Sequence, residues 1–426
     1  MDPNELSFTP PRGMRDFYPE DMTVRTAIFD AWRTAAVRHG FVAYDACVVE
    51  NLDLLKRKAG EEIVDQIYVF QDKSGRDLAL RPEMTPTLAR MVAARQAGLP
   101  FPLKWYTIAQ CFRYERMTRG RKREHYQWNL DIIGEDSPCA EAEVLSAAIH
   151  ALRLLTFEDQ DIHVLFSSRA VLSALIEKLG VPPASHQAVF LALDKRGKLP
   201  DAEIADLMLT AGIPADSVTR ILEAIGASSL DAVTEIIGPE SVAAVNLRSF
   251  QALLQAYGMG HIVRFDLSVV RGLSYYTGIV FEAYDAAREF RAVFGGGRYD
   301  NLLQDIGGKP ATAVGLGFGD VVVAELLSAK GHHVGVAAPA GTAVSYMEDA
   351  QRPVAVAVAC GMRRKGEIAD LALHHEKAKA FFSRVGRASF RNAVYVGPDD
   401  VAKGVLRLKD LQTRTETEIP LAGLTG

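Results

Sequence analysis

The sequence predicts an α+β protein of two or three domains, and three observations point there. Residues 1–168 mix amphipathic helices with paired strand-like runs. Residues 169–258 change to short helices broken by Gly and Pro, and residues 342–426 alternate strand with helix. At 426 residues the chain is also too long for one compact core.

The elements follow in order. Apolar positions at helical spacing run over 23–39, with Gly40 as a stop, and 41–49 reads as a strand. Residues 65–80 read as a hairpin turning at Asp72-Lys73-Ser74-Gly75. A helix over 85–97 precedes strands over 105–113 and 126–133, which are separated by a polar, basic tip. Residues 141–155 read as a helix and 163–166 as a strand. After the helical stretch, strand character returns over 262–267 and 275–284, and a helix is expected over 320–329. Residues 331–341, rich in Gly, Ala and Pro, read as a linker. Beyond it come a strand (342–347), a helix (350–364), a strand (369–373), a helix (376–385) and strands (392–396 and 405–408). Val354 to Ala359 alternates like a strand inside the second of these segments.

Composition excludes several classes. Apolar residues at 48% and charged residues at 24% are those of a globular protein, and a net charge of −5 argues against a nucleic-acid coat protein. The polar, acidic first residues give no secretory signal, and no apolar run approaches membrane-spanning length. Four scattered cysteines (Cys47, Cys111, Cys139, Cys360) with no CxxC pair argue against a disulfide framework or structural zinc and for a reducing, cytoplasmic compartment. The adjacent histidine pairs, His332-His333 and His374-His375, lack the spacing of a helical metal site, so no metal ligand is assigned.

Four segments carry chemistry. The first is Arg271-Gly272-Leu273-Ser274-Tyr275-Tyr276, and the second is Gly295-Gly296-Gly297-Arg298-Tyr299-Asp300; fixed cations and phenols beside a bare backbone suit a small polar ligand. In the third, six basic residues (Arg113, Arg116, Arg119, Arg121, Lys122, Arg123) and one acid, Glu115, fill 113–123. Such a loop between two strands suits a polyphosphate, because guanidinium forks match phosphate oxygens. In the fourth, alternation puts Gln127, Asn129 and Asp131 on one strand face, where buried acceptors are costly unless they bind something.

Together these segments resemble the histidyl-tRNA synthetase family of class II aminoacyl-tRNA synthetases. Phe112-Arg113-Tyr114-Glu115 and the loop after it are similar to motif 2, and Arg81-Pro82-Glu83-Met84-Thr85 to the amino-acid-binding turn. The tyrosine pair and the glycine-arginine cluster resemble the two signatures of that family, and Arg12-Gly13-Met14-Arg15-Asp16 its opening. The resemblance implies a six- to seven-stranded antiparallel sheet flanked by helices, with a helical insertion, a C-terminal α/β anticodon-binding domain and a homodimer. The implied divisions are a catalytic core over 1–168 and 259–330, the insertion over 169–258, a linker over 331–341 and the anticodon-binding-like domain over 342–426.

It further implies a ligase that uses ATP and Mg²⁺ to activate L-histidine and charge tRNA(His). Arg113 and Arg271 would be catalytic, gripping the α-phosphate from two sides. Glu83, Thr85 and Gln127 would surround the α-amino group, and Asp131 and Tyr276, with Tyr275, the imidazole. Arg113 and Arg271 border the amino acid as well. ATP would also meet Glu115, Arg121 and Arg123. Two departures stand out: Asp320 stands about where an adenine-stacking arginine is expected, and Cys47 where motif 1 usually ends in proline. The glycine run Gly315-Leu316-Gly317-Phe318-Gly319 lacks GxGxxG spacing and reads as close helix–sheet packing at the floor of the ATP site. Two rival readings remain: the histidine-sensing regulatory subunit of ATP phosphoribosyltransferase, and another class II synthetase such as one for proline or threonine.

Overall fold

The computed structural model describes residues 8–58, 65–196, 199–227, 229–270, 275–332, 334, 341–388 and 390–425. The chain divides into two compact units, one ending at Val334 and the other beginning at Gly335. Arg271 and most of the 331–341 linker lie outside the described residues.

The first unit contains strands β1 (Val42–Ala43), β2 (Val49–Asn51), β3 (Tyr68–Gln71), β4 (Asp77–Leu80), β5 (Leu103–Phe112), β6 (Glu124–Ile133), β7 (Ile162–Ser168), β8 (Val263–Phe265), β9 (Ile279–Asp285), β10 (Phe294–Arg298) and β11 (Ala313–Gly319). Among the described residues, eight of these form one sheet in the order β1-β5-β6-β11-β10-β9-β7-β8. The six central strands are antiparallel, as expected. The expectation of six to seven antiparallel strands misses the edges, where β1 and β8 pair in parallel with β5 and β7. A parallel neighbour needs a long crossover, and the helices between β7 and β8 supply one.

The strand expected over 41–49 is divided. Val42 and Ala43 pair with β5, whereas Val49–Asn51 pairs with β4 in a separate three-stranded sheet, β2-β4-β3. The expected hairpin forms that second sheet: β3 pairs with β4 across a turn in which Asp72 accepts from the backbone N–H groups of Ser74 and Arg76.

One face of the large sheet is core. The helices Pro19–Arg38, Cys139–Leu154 and Asp320–Ala329 pack on it. Trp32 lies 6.0 Å from Trp128 and 5.3 Å from Phe318, all fully buried. Each such side chain contributes about 1.5–3 kcal/mol by leaving water. The helices Arg169–Lys178 and Val242–Ala256 join the same apolar cluster through Val171, Leu175, Leu247 and Phe250.

The second unit contains β12 (Thr342–Tyr346), β13 (Ala369–Leu371), β14 (Asn392–Val396), β15 (Val405–Asp410) and β16 (Glu416–Pro420), in the order β13-β12-β14-β15-β16. β12 is parallel to both neighbours and β14, β15 and β16 are antiparallel. The stretch that alternates like a strand lies in the helix Arg352–Arg364. Its buried residues Ala355, Val358, Ala359 and Met362 recur at helical period, and Pro353 opens the first turn.

Candidate active site

The opposite face of the large sheet carries a second, smaller apolar cluster that includes Leu103, Ile133, Val280 and Leu165, and beside it a stretch floored by glycines. Register puts Trp105, Asp131, Gly315, Gly297 and Val280 in one row across five strands, and Thr107, Asn129, Gly317 and Gly295 in the next. Ala109, Gln127 and Gly319 make a third row. The glycines leave room for the polar side chains beside them. A Cβ on Gly315 would lie 2.2 Å from Asp131 Oδ1, and one on Gly317 2.5 Å from Gln127 Nε2. The close approach expected of this glycine run is therefore side chain to strand, and helix–sheet packing does not account for it.

The predicted alternation of Gln127, Asn129 and Asp131 thus holds, and it exposes three acceptors. Gln127 Oε1, Asn129 Oδ1 and Asp131 Oδ2 are buried, with no hydrogen-bond partner among the described residues. Leaving such an atom unpaired costs about 1–3 kcal/mol, more when it is charged. Three together, beside the glycines of β11, suit a ligand rich in N–H donors.

Around this strand the structure gathers most of the residues that the resemblance assigns to the amino acid. Glu83 lies just before the helix Thr85–Arg95 and accepts a hydrogen bond from Tyr275 Oη at 3.1 Å. Thr85 is buried at the first turn of that helix. Tyr275 packs 5.0 Å from Tyr276 and 5.8 Å, edge-on, from Tyr299. Tyr299 in turn donates to Asp131 Oδ1 at 2.5 Å. Tyr276 borders the floor: a Cβ on Gly297 would lie 3.0 Å from its ring. Glu83, Tyr275, Tyr299 and Asp131 thus form one continuous polar-aromatic wall. Burial pushes the Asp131 carboxyl up to about 7, against the opposing pull of the Tyr299 hydrogen bond.

Arg113 joins that wall to the basic loop. Its Nε donates to Pro82 O at 2.9 Å and its backbone N–H to Arg123 O at 3.0 Å, closing the base of the loop. Within the loop Arg121 pairs with Glu115 at 2.5 Å, and the Arg123 guanidinium lies 3.8 Å from the centre of the Tyr114 ring. Arg81 is structural: it donates to Gln110 O, Ala46 O and Cys47 O. No cluster of three metal-ligating side chains forms among the described residues.

Arg298, of the second signature, and Asp320, where an adenine-stacking arginine was expected, are both tied to partners outside the pocket. Arg298 holds Glu141 with two 2.7 Å bonds on the core side. Asp320 accepts from the Tyr126 N–H and from Arg15 Nη2 and is buried. Arg15 also donates to Glu124 at 2.5 Å. Sequence reasoning missed Tyr299 and Asn129 as site residues, although Tyr299 lies inside a signature and Asn129 on the face already singled out.

The histidyl-tRNA synthetase family model matches residues 13–319. The chain is 40% identical over 420 residues to a chloroplastic/mitochondrial histidine-tRNA ligase of Arabidopsis thaliana, covering 99% of this chain and 86% of that one. It is 38% identical to the histidine-tRNA ligase of Opitutus terrae, covering 96% and 95%. In three dimensions it resembles a histidyl-tRNA synthetase from Nostoc sp. PCC 7120, with a TM-score of 0.81 at 22% identity over 98% and 97% of the two chains. It also resembles a Bacillus halodurans protein described as an ATP phosphoribosyltransferase regulatory subunit/histidyl-tRNA synthetase, with a TM-score of 0.76 at 23% identity over 92% and 99%. These two likenesses concern the fold.

Proposed function

The chain belongs to the histidyl-tRNA synthetase family, and on that premise we propose that it is a histidine-tRNA ligase. It joins L-histidine to ATP, releasing pyrophosphate, and passes the histidyl group from the adenylate to tRNA(His), releasing AMP. The single observation that carries the assignment of the pocket is the trio of buried, unpaired acceptors on β6. Histidine brings an ammonium group and an imidazole N–H, the donors that such a trio lacks.

In this reading Glu83 and Gln127 hold the α-amino group, with Thr85 beside them. Asp131 accepts the imidazole N–H, Tyr276 donates to the other ring nitrogen, and Tyr275 fixes Glu83. A pocket that satisfies both ring nitrogens rejects apolar analogues by about 10⁴ or more. The histidine carboxylate attacks the α-phosphorus, and Arg113 and Arg271 neutralise charge building on the phosphate oxygens. The bond from Arg113 to Pro82 O fixes its guanidinium plane next to the amino-acid turn. Arg121 and Arg123 serve the outer phosphates from the loop, and Glu115, paired with Arg121, borders the nucleotide without contacting those phosphates. In this reading Mg²⁺ would arrive with the nucleotide. Such an ion would neutralise charge on the leaving pyrophosphate.

The reading includes a homodimer and a cytoplasmic location. Val42, Val48, Val49, Val69, Phe70 and Tyr114 are exposed large hydrophobic residues around the small sheet, and a second copy would cover them. No helix among the described residues is long and apolar enough to cross a membrane. The second unit, with its five-stranded sheet, is read as the anticodon-binding domain, which a histidine sensor does not need.

Histidine-dependent ATP-pyrophosphate exchange followed by charging of tRNA(His) tests the assignment. Both reactions are expected, and Arg271→His is expected to abolish exchange in a folded protein. Histidine binding without exchange would favour the regulatory-subunit reading.

A further inference from the structure

Tyr44 lies just beyond β1, where its backbone N–H donates to Tyr106 O at 2.9 Å. Its ring packs 5.8 Å from Trp105, the residue directly across from Asp131. It also packs against the cluster that contains Tyr275, Tyr276 and Tyr299, and against Met84, Ala109 and Cys111 beneath the amino-acid turn. Its hydroxyl is buried and has no hydrogen-bond partner among the described residues. Burial and then the charge of Asp131 push this phenol well above its ordinary value, so the hydroxyl sits in the field of that carboxylate.

Two polar atoms, Tyr44 Oη and Asp131 Oδ2, are therefore buried and unpaired in one neighbourhood. A phenol both donates and accepts, and a hydroxyl left without a partner is destabilising. Were Tyr44 there for packing alone, phenylalanine would serve better.

We propose that Tyr44 is a specificity-determining residue of the imidazole pocket, its hydroxyl hydrogen-bonding the substrate ring beside Asp131. The ring N–H aimed at Asp131 Oδ2 gains the phenol oxygen as a second acceptor, and the phenol O–H is directed to the carboxylate. The inference rests on the reading of this pocket as the histidine site.

Tyr44→Phe tests it, because the change removes one atom and keeps the ring. Exchange is measured at varied histidine and at varied ATP, with thermal unfolding alongside. The KM for histidine is expected to rise about tenfold, the size of a hydrogen bond to a charged group, while kcat and the KM for ATP stay within about twofold. In an Asp131→Asn background the same change is expected to have a much smaller effect. An unchanged histidine KM, an equal rise for both substrates, or full additivity with Asp131→Asn would overturn the inference. Wild-type exchange that does not depend on histidine would instead overturn the reading of the site itself.

Discussion

Tyr299 donates its hydroxyl to Asp131 Oδ1 at 2.5 Å, and that bond leaves Oδ2 as the oxygen without a partner among the described residues. With Oδ1 committed, Oδ2 is the atom left to accept from a ring N–H. Asp131 is short, and Tyr299 is what aims it. Tyr299→Phe is expected to leave the fold intact and raise the KM for histidine about tenfold, given the strength of hydrogen bonds to carboxylates. Exchange kinetics at varied histidine and ATP check this, and an equal rise in both constants would assign Tyr299 to general packing.

The same carboxyl sets a pH dependence. Burial raises Asp131 to about 7 in the folded protein, against about 3.9 in an unfolded chain. The folded state therefore binds more protons between those values, and stability falls as pH rises from about 4 to 7, by at most about 1.4 kcal/mol per pH unit. Substrate capture has the opposite sign, because the ionised carboxylate is the stronger acceptor of an imidazole N–H. The kcat/KM for histidine should climb between pH 6 and 8, while denaturant unfolding without ligand should show declining stability from pH 4 to 7. Asp131→Asn should flatten the decline in stability; an unaltered decline would locate the titration elsewhere.

What the sequence disclosed and what it hid have physical causes. Period-two alternation placed Gln127, Asn129 and Asp131 on one face, since a strand leaves no other arrangement. The helix Asp320–Ala329 and the strand Asn392–Val396 fall on their expected bounds. The break between β1 and β2 was hidden because the run 41–49 serves two different sheets, a fact of tertiary pairing. β16 was missed because Glu416–Pro420 is almost wholly exposed and carries no apolar alternation. The partnership of Tyr299 with Asp131 joins residues 168 apart, beyond any local pattern.

The glycine floor gives a graded test. Gly315→Ala would drive a methyl group into Asp131 Oδ1, and Gly317→Ala into the Gln127 amide, whereas a Cβ on Gly319 meets nothing within 4 Å. Gly315→Ala should raise the histidine KM at least about tenfold, as expected when a reading group is displaced by an ångström. Gly317→Ala should weaken capture of the α-amino group, detectable as a comparable loss for histidine and for histidine analogues with altered rings. Gly319→Ala should behave like the unmodified protein. If all three behave alike, close approach at this strand is not what shapes the pocket.

Arg15 ties the two strands that carry the pocket from behind. Its guanidinium bridges Glu124, which opens β6, and Asp320, which opens the helix after β11, at 2.5 and 2.9 Å. Both carboxylates are almost fully buried. Removing the shared cation leaves two buried charges without it, and Arg15→Ala should cost about 3–5 kcal/mol at pH 7, measured by urea unfolding. The loss should shrink on acidification, because burial already raises the Asp320 carboxyl, which can then take up a proton. Asp320→Asn in the same chain should recover part of it by removing one of the stranded charges. Because Asp320 is committed to Arg15 and the Tyr126 N–H, Asp320→Asn alone should leave the KM for ATP within about threefold, the change of a residue that does not touch the nucleotide. A large selective rise in that constant would put Asp320 in the purine site after all.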